Sequence, residues 1–187
     1  MNQAQSFIEQ TGIEDLLILH PRVFADERGY FYESYNKQRF EANGLNYDFV
    51  QDNQARSTYG ILRGLHFQHA PFAQTKLVRV TEGEVLDVVV DLRRSSATYG
   101  KSFSIVLSEE NKLQFLIPQG FAHGYAVLSP TAVFQYKCDN YYSKEHEGGL
   151  AYDDPALQID WRIPTKDIIT SDRDKVWTNL QDLEHNF

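Results

Sequence analysis

Cysteine is almost absent. Cys138 is the single one in 187 residues, so no disulfide can form within this chain. Positive charge is the minority sign, with 18 Lys and Arg against 26 Asp and Glu and a formal net charge of −8. A chain of that balance has no long-range field to gather a phosphate backbone, so no nucleic acid is expected as a partner. A local pair of arginines can still hold one small anion. Long apolar runs are missing too: no stretch approaches the ~18 residues of a membrane span, so no membrane partner is expected. The opening segment, MNQAQSFIEQTGIEDLL, has no basic stretch followed by an apolar one. It reads as no signal peptide, and a cytoplasmic protein is the expectation.

Several signatures are lacking as well. No Gly-x-Gly-x-x-Gly follows a strand-like run, and no Gly-x-x-x-x-Gly-Lys-Ser/Thr occurs, which argues against a dinucleotide dehydrogenase or a P-loop enzyme. No Gly-x-Ser-x-Gly marks a hydrolase nucleophile. No His-x-His or Cys-x-x-Cys suggests a metal site, and His66 and His69, three apart, would leave opposite faces of a strand. Helical pattern is scarce; the clearest is Lys37 to Ala42, capped by Asn36, with Phe40 inward and Gly44 ending it.

What is present is a series of short β-like runs. They are Leu16–Leu19, Gly29–Tyr35, Lys76–Val80, Val85–Leu92, Phe103–Leu107, Leu113–Ile117, Tyr125–Leu128 and Ala132–Tyr136. Turn residues such as Thr81-Glu82-Gly83-Glu84 and Ser129-Pro130 separate neighbours. Val85–Leu92 is nearly continuous in apolar character, as a strand covered on both faces would be. Runs at this spacing predict an all-β sandwich or barrel in a single domain. Hydrophobic residues at 42% are enough for it to bury a core.

Five segments carry side chains able to do chemistry. In Arg63-Gly64-Leu65-His66-Phe67-Gln68, His66 is either a proton-transfer group or an ordinary core histidine. In Pro118-Gln119-Gly120-Phe121-Ala122-His123-Gly124-Tyr125, the glycines and proline predict His123 at a constrained bend rather than mid-strand. Lys76, entering a strand, is either solvated or turned inward to meet an anion. Tyr136 ends an apolar run and reads as packing or as a proton carrier, while Cys138 reads as a packing residue. Ser171-Asp172-Arg173-Asp174 is either a solvated loop or the source of a carboxylate that orients a histidine.

Taken in order, these segments resemble one family. Asp26-Glu27-Arg28-Gly29 with Phe31 and Glu33, Gln51-Asp52-Asn53, Arg63 to Gln68, Lys76 to Val80, Gly83-Glu84-Val85 with Asp87-Val88, Asp91-Leu92-Arg93, Pro118 with Gly120 to Gly124, and Tyr136-Lys137-Cys138 follow each other as in the dTDP-4-dehydrorhamnose 3,5-epimerases. The similarity runs from about Leu16 to Asp174. It implies an all-β, cupin-like β-roll (a jelly roll) with a few short helices, one domain over residues 1–187 with a less regular arm from about 162. It also implies no cofactor and no metal, and a homodimer acting on a small-molecule dTDP-sugar.

The expected reaction takes dTDP-4-dehydro-6-deoxy-D-glucose to dTDP-4-dehydro-L-rhamnose through an enolate, inverting carbons 3 and 5. The resemblance implies His66 as base paired with Asp174, Lys76 on the enolate oxygen and Tyr136 as acid. Around the sugar, diphosphate and base it implies Arg28, Glu33, Gln51, Asn53, Arg63, His123, Tyr142, Glu147 and Arg173. Tyr125 stands where Phe is common, Arg162 follows Trp161 in place of proline, and Arg173 replaces a lysine. Asp172 is an alternative partner for the histidine. A single-centre epimerase, a ketoisomerase of another dTDP-deoxysugar and a non-catalytic sugar-nucleotide-binding cupin are the other readings.

Overall fold

The computed structural model describes residues 7–187. In chain order the strands are β1 (Ile8–Gln10), β2 (Leu17–Leu19), β3 (Phe24–Asp26), β4 (Gly29–Phe31), β5 (Gln51–Thr58), β6 (Leu62–Gln68) and β7 (Lys76–Glu82). They continue with β8 (Glu84–Asp91), β9 (Ser102–Ser108), β10 (Gln114–Ile117), β11 (Phe121–Val127), β12 (Thr131–Cys138) and β13 (Glu147–Gly149). The helix α1 (Lys37–Ala42) lies between β4 and β5. Asn36 caps it by accepting from the Arg39 N–H, and Phe40 is its buried side chain.

Two antiparallel sheets pack face to face as a jelly roll. One has the order β1-β2-β10-β7-β12-β5, the other β13-β6-β11-β8-β9, and β3 pairs only with β4 in a separate ribbon. Alternation along each strand then decides which face is covered by what. On β8, Val85 and Val89 point between the sheets, where Val78, Val80, Phe115 and Phe134 meet them. Leu86, Val88 and Val90 point the other way, under Leu157, Trp161 and Ile163 of the C-terminal segment. This double cover explains the apolar run. On β2, Ile18 joins the inner core, while Leu17 and Leu19 lie beneath Phe40 and Leu45 around α1.

Two expectations need correction, and one strand gave no signal. His123 lies in the middle of β11, not at a bend. The turn is made earlier by Gly120, at φ 89, and Gly124 serves a different purpose described below. The aromatic run from Gly29 is a strand only to Phe31, and Tyr30 and Phe31 are exposed on the ribbon. Gln51–Thr58, too polar to be read as a strand, is the edge strand β5, paired with β12 on one side only. No helix of the described residues is long and apolar enough to cross a membrane.

Candidate active site

A cavity of about 550 Å³ opens between the sheets, a volume suited to a small-molecule ligand. Its first wall is built on β6 and β11. Strict alternation would send Arg63 and His66 to opposite faces, yet both line the cavity. The pairing explains this. His66 faces His123 and Arg63 faces Tyr125, so β6 uses three steps where β11 uses two. That extra residue is a β-bulge, and it turns Arg63 back to the face of His66. Gly64 sits in the bulge at φ 128, where an added Cβ would fall 2.6 Å from the Gly124 Cα. Gly124 is needed for the same close approach, since its own Cβ would meet the Arg63 carbonyl oxygen at 2.6 Å.

His66 is completed by the C-terminal segment. Ile169 is tied to the start of β6 by its N–H donating to the Gly60 carbonyl (2.8 Å) and its carbonyl accepting from the Leu62 N–H (2.9 Å). Two residues on, Ser171 turns the chain, and its carbonyl accepts from the Asp174 N–H at 3.0 Å. Asp174, 3% exposed, then sets Oδ1 2.7 Å from His66 Nε2. Burial alone would raise the Asp174 carboxyl. The hydrogen bond and charge of His66, with donors from Ser171 and Gly64, outweigh that and hold it below its ordinary value. With Asp174 ionised, Nε2 carries the proton and donates, which leaves Nδ1 as an acceptor. Trp177 meets the imidazole edge to face, centroids 6.3 Å apart. Its ring fills the space above Gly149, where a Cβ would fall 2.2 Å from it. Asp172 is solvent-exposed and bonds Lys175 at 2.9 Å instead.

Beside His66 on the same wall is a second histidine–carboxylate pair. His123 Nε2 lies 3.0 Å from both oxygens of Asp87, and both residues are buried. Burial pushes Asp87 up and His123 down, against the attraction between them.

The opposite wall belongs to the other sheet. Tyr136 on β12 and Lys76 on β7 both line the cavity. Burial pushes the Tyr136 phenol up to about 12, so it stays protonated at neutral pH. Burial also lowers the Lys76 ammonium, although Cys138, Asp87 and Glu147 pull it the other way. Lys76 makes no hydrogen bond or ion pair among the described residues, so its charge is available to a ligand. Inward-facing Lys76 is thus the second of its two sequence readings.

At the rim, Arg173 Nη1 donates to Glu147 Oε2 at 2.8 Å, and the Tyr142 hydroxyl donates to the same oxygen at 3.2 Å. Gln51 and Asn53 on β5 bond each other (3.0 Å), and the Gln51 Oε1 accepts from the Tyr142 N–H (3.3 Å). They stand behind the rim rather than in the cavity lining. Arg28 and Glu33 are not in the lining either. Arg28 is on the β3–β4 turn, paired with Asp26, and Glu33 accepts from Asn36 at 3.0 Å. Asp87 was read from sequence only as part of the family motif and given no site role, and Trp177 was not singled out. An acid within the apolar Val85–Leu92 run was a usable signal for Asp87; nothing local marked Trp177. Among the described residues, no three His, Cys, Asp or Glu side chains converge as a metal would need.

A carboxylate-bound imidazole and a neutral phenol thus face one cavity from two sheets. This defines a cupin-like site in which groups able to move protons stand on facing walls. The comparisons identify the family. The model of the dTDP-4-dehydrorhamnose 3,5-epimerase family matches residues 10–182. The enzyme of that name from Escherichia coli (strain K12) is 50% identical over 175 residues, 93% of this chain and 94% of its own. Its namesake from Elizabethkingia anophelis NUHP1 superposes with a TM-score of 0.89 at 55% identity, over 94% of this chain and 96% of that one. A 3,5-epimerase from Legionella pneumophila Philadelphia 1, solved with dTDP-4-keto-L-rhamnose, gives a TM-score of 0.90 at 47% identity, over 95% and 94%. The chain belongs to the dTDP-4-dehydrorhamnose 3,5-epimerase family, whose members are isomerases.

Proposed function

We propose that this protein converts dTDP-4-dehydro-6-deoxy-D-glucose to dTDP-4-dehydro-L-rhamnose with its own side chains as the only acids and bases. The observation that carries the reading is the placement of His66–Asp174 and Tyr136 on facing sheets around one cavity. The 4-keto group acidifies the hydrogens on carbons 3 and 5. His66 removes one of them through Nδ1, and Asp174 stabilises the imidazolium that results. Negative charge then gathers on the keto oxygen, where the Lys76 ammonium meets it. Tyr136 returns a proton from the other face, which inverts the centre. A phenol at about 12 is a weak acid, but an enolate carbon is basic enough to take its proton. Exchange with solvent then takes the proton from the His66 imidazolium and returns one to the Tyr136 phenolate, and the sequence repeats at the second carbon.

Arg63 and Arg173 supply the local cations that a diphosphate needs in an acidic protein. Tyr142 offers an exposed ring for thymine, with Glu147 beside it. His123, held by Asp87, presents its imidazole to the sugar. The working form is a homodimer in the cytoplasm. Arg28 and Glu33 lie off the cavity around a ribbon that exposes Phe24, Tyr30 and Phe31. A second copy would cover that ribbon and bring those side chains to a site. The chain acts as one domain, because the arm from about residue 162 carries Asp174 as well as cover for β8.

Proton NMR of the substrate with the enzyme in deuterium oxide tests this. The expected result is deuterium at both carbon 3 and carbon 5. Label at one carbon alone would make it a single-centre epimerase, and no label with dTDP still bound would leave a binding module.

A further inference from the structure

One buried polar group in the cavity has no place in the reaction above. Tyr125 follows His123 by two residues on β11, so both side chains leave the same face of the sheet. Its ring stacks on Phe134 of β12, centroids 4.1 Å apart and planes within 14°. The residue is 5% exposed and lines the cavity, and its hydroxyl has no hydrogen-bond partner among the described residues. Ser57, the adjacent hydroxyl, stands close enough to donate toward the Tyr125 oxygen, but its own lone pairs already accept from Arg63 Nε at 3.3 Å and Nη2 at 3.2 Å, so it offers no acceptor to the Tyr125 O–H. Stacking on Phe134 is a complete reason for an aromatic ring at this position, and phenylalanine would provide it equally well. The oxygen needs its own reason, because a buried hydroxyl without a partner is unfavourable. A ligand oxygen would supply the missing acceptor. Tyr125 shares its strand and face with His123, which itself pairs with His66, whereas Tyr142, Glu147 and Arg173 form the rim. Its reach is therefore toward the sugar end of the substrate.

We infer that Tyr125 is a substrate-positioning residue whose hydroxyl donates a hydrogen bond to an oxygen of the bound hexose. The inference rests on the sugar-nucleotide reading of the site. It makes the hydroxyl a determinant of sugar affinity and leaves nucleotide affinity to the rim.

Tyr125→Phe keeps the ring and removes only the oxygen. Four measurements compare it with the parent: calorimetric binding of dTDP and of dTDP-D-xylose, which has no keto group and does not turn over; kcat and KM with the keto sugar; deuterium incorporation at carbons 3 and 5 in deuterium oxide; and thermal unfolding. One neutral hydrogen bond predicts about tenfold weaker dTDP-D-xylose binding and about tenfold higher KM. The dTDP affinity stays within about twofold, kcat within about threefold, and Tm does not fall. Unchanged sugar binding and KM would overturn the inference. A lower Tm with unchanged binding would also overturn it, by showing an internal partner for the hydroxyl. Deuterium lost from one carbon alone, with sugar binding intact, would replace it with a proton-carrying role. If the parent enzyme itself gives no exchange, the function proposed above fails, and the dTDP-D-xylose arm still decides on Tyr125.

Discussion

Two histidine–carboxylate pairs stand side by side on one wall, and they are built in different ways. Asp174 reaches His66 from the far end of the chain, bonds it through one oxygen at 2.7 Å, and leaves the imidazole 21% exposed toward the cavity. Asp87 reaches His123 from the next strand, offers both oxygens at 3.0 Å, and is fully buried. In the first pair the carboxyl is pulled below its ordinary value. In the second, burial pushes Asp87 up and His123 down, toward the uncharged forms of both. The same two residue types therefore give one pair that can take up and hold a proton and one that is a fixed polar fitting. Solvent access and the number of donors to the carboxylate make the difference.

Substituting the two histidines breaks this comparison most sharply. His66→Asn removes the base, and a loss of about a thousandfold in kcat is expected with dTDP binding retained. His123→Asn is expected to raise KM about tenfold and to change kcat less. Steady-state kinetics with calorimetric binding would separate the two. Equal losses in kcat would mean that both histidines carry protons.

Lys76→Met comes next, at about a hundredfold in kcat, because the enolate loses its counter-charge. Its Tm does not fall, since the ammonium is buried without a bonded partner. Lys76 also has a signature in pH. Its cation is the working form and its pKa is lowered, so kcat declines below pH 10.5 on the alkaline side. Tyr136, at about 12, contributes no limb in that range. A pH–rate profile in which Tyr136→Phe retains the alkaline limb and Lys76→Met lacks it is the expected outcome.

The two carboxylates are told apart by opposite signs in stability. Asp174 has a lowered folded value, so its contribution is present above the ordinary carboxylate range and fades as pH falls through the folded value. Asp174→Asn is therefore less stable than the parent at about pH 7, and the gap closes in acid. Asp87 has a raised folded value, so its carboxylate form becomes a liability as pH rises through that value. Asp87→Asn keeps or gains Tm relative to the parent toward about pH 8. Thermal unfolding across pH reads both. Two variants with the same sign would erase the distinction between the pairs.

Much of the fold was legible because its strands obey one rule, alternation against a known cover. β8 reads as doubly covered since the C-terminal segment packs on its outer face. α1 announces itself by the Asn36 cap and Phe40. β5 was silent because an edge strand with one partner tolerates polar residues on both faces. The site was legible in its residue types more than in their geometry. That Arg63 and His66 share a face depends on a bulge, and a one-residue slip in register is invisible to periodicity. His123 was misread as a bend because Gly124 looks like a turn residue, while its true constraint is Gly64 on the neighbouring strand. Asp174 over Asp172 was decided by the arm's path through Ile169 and Ser171, a contact 108 positions distant from His66.

The central claim is that base and acid act from opposite sheets on one sugar. Tyr136→Phe with dTDP-4-dehydro-6-deoxy-D-glucose in deuterium oxide tests it most directly. With His66 intact and the phenol gone, deuterium is expected at carbons 3 and 5 of recovered sugar that keeps its original configuration. Labelled, fully inverted product at the parent's rate would contradict the account.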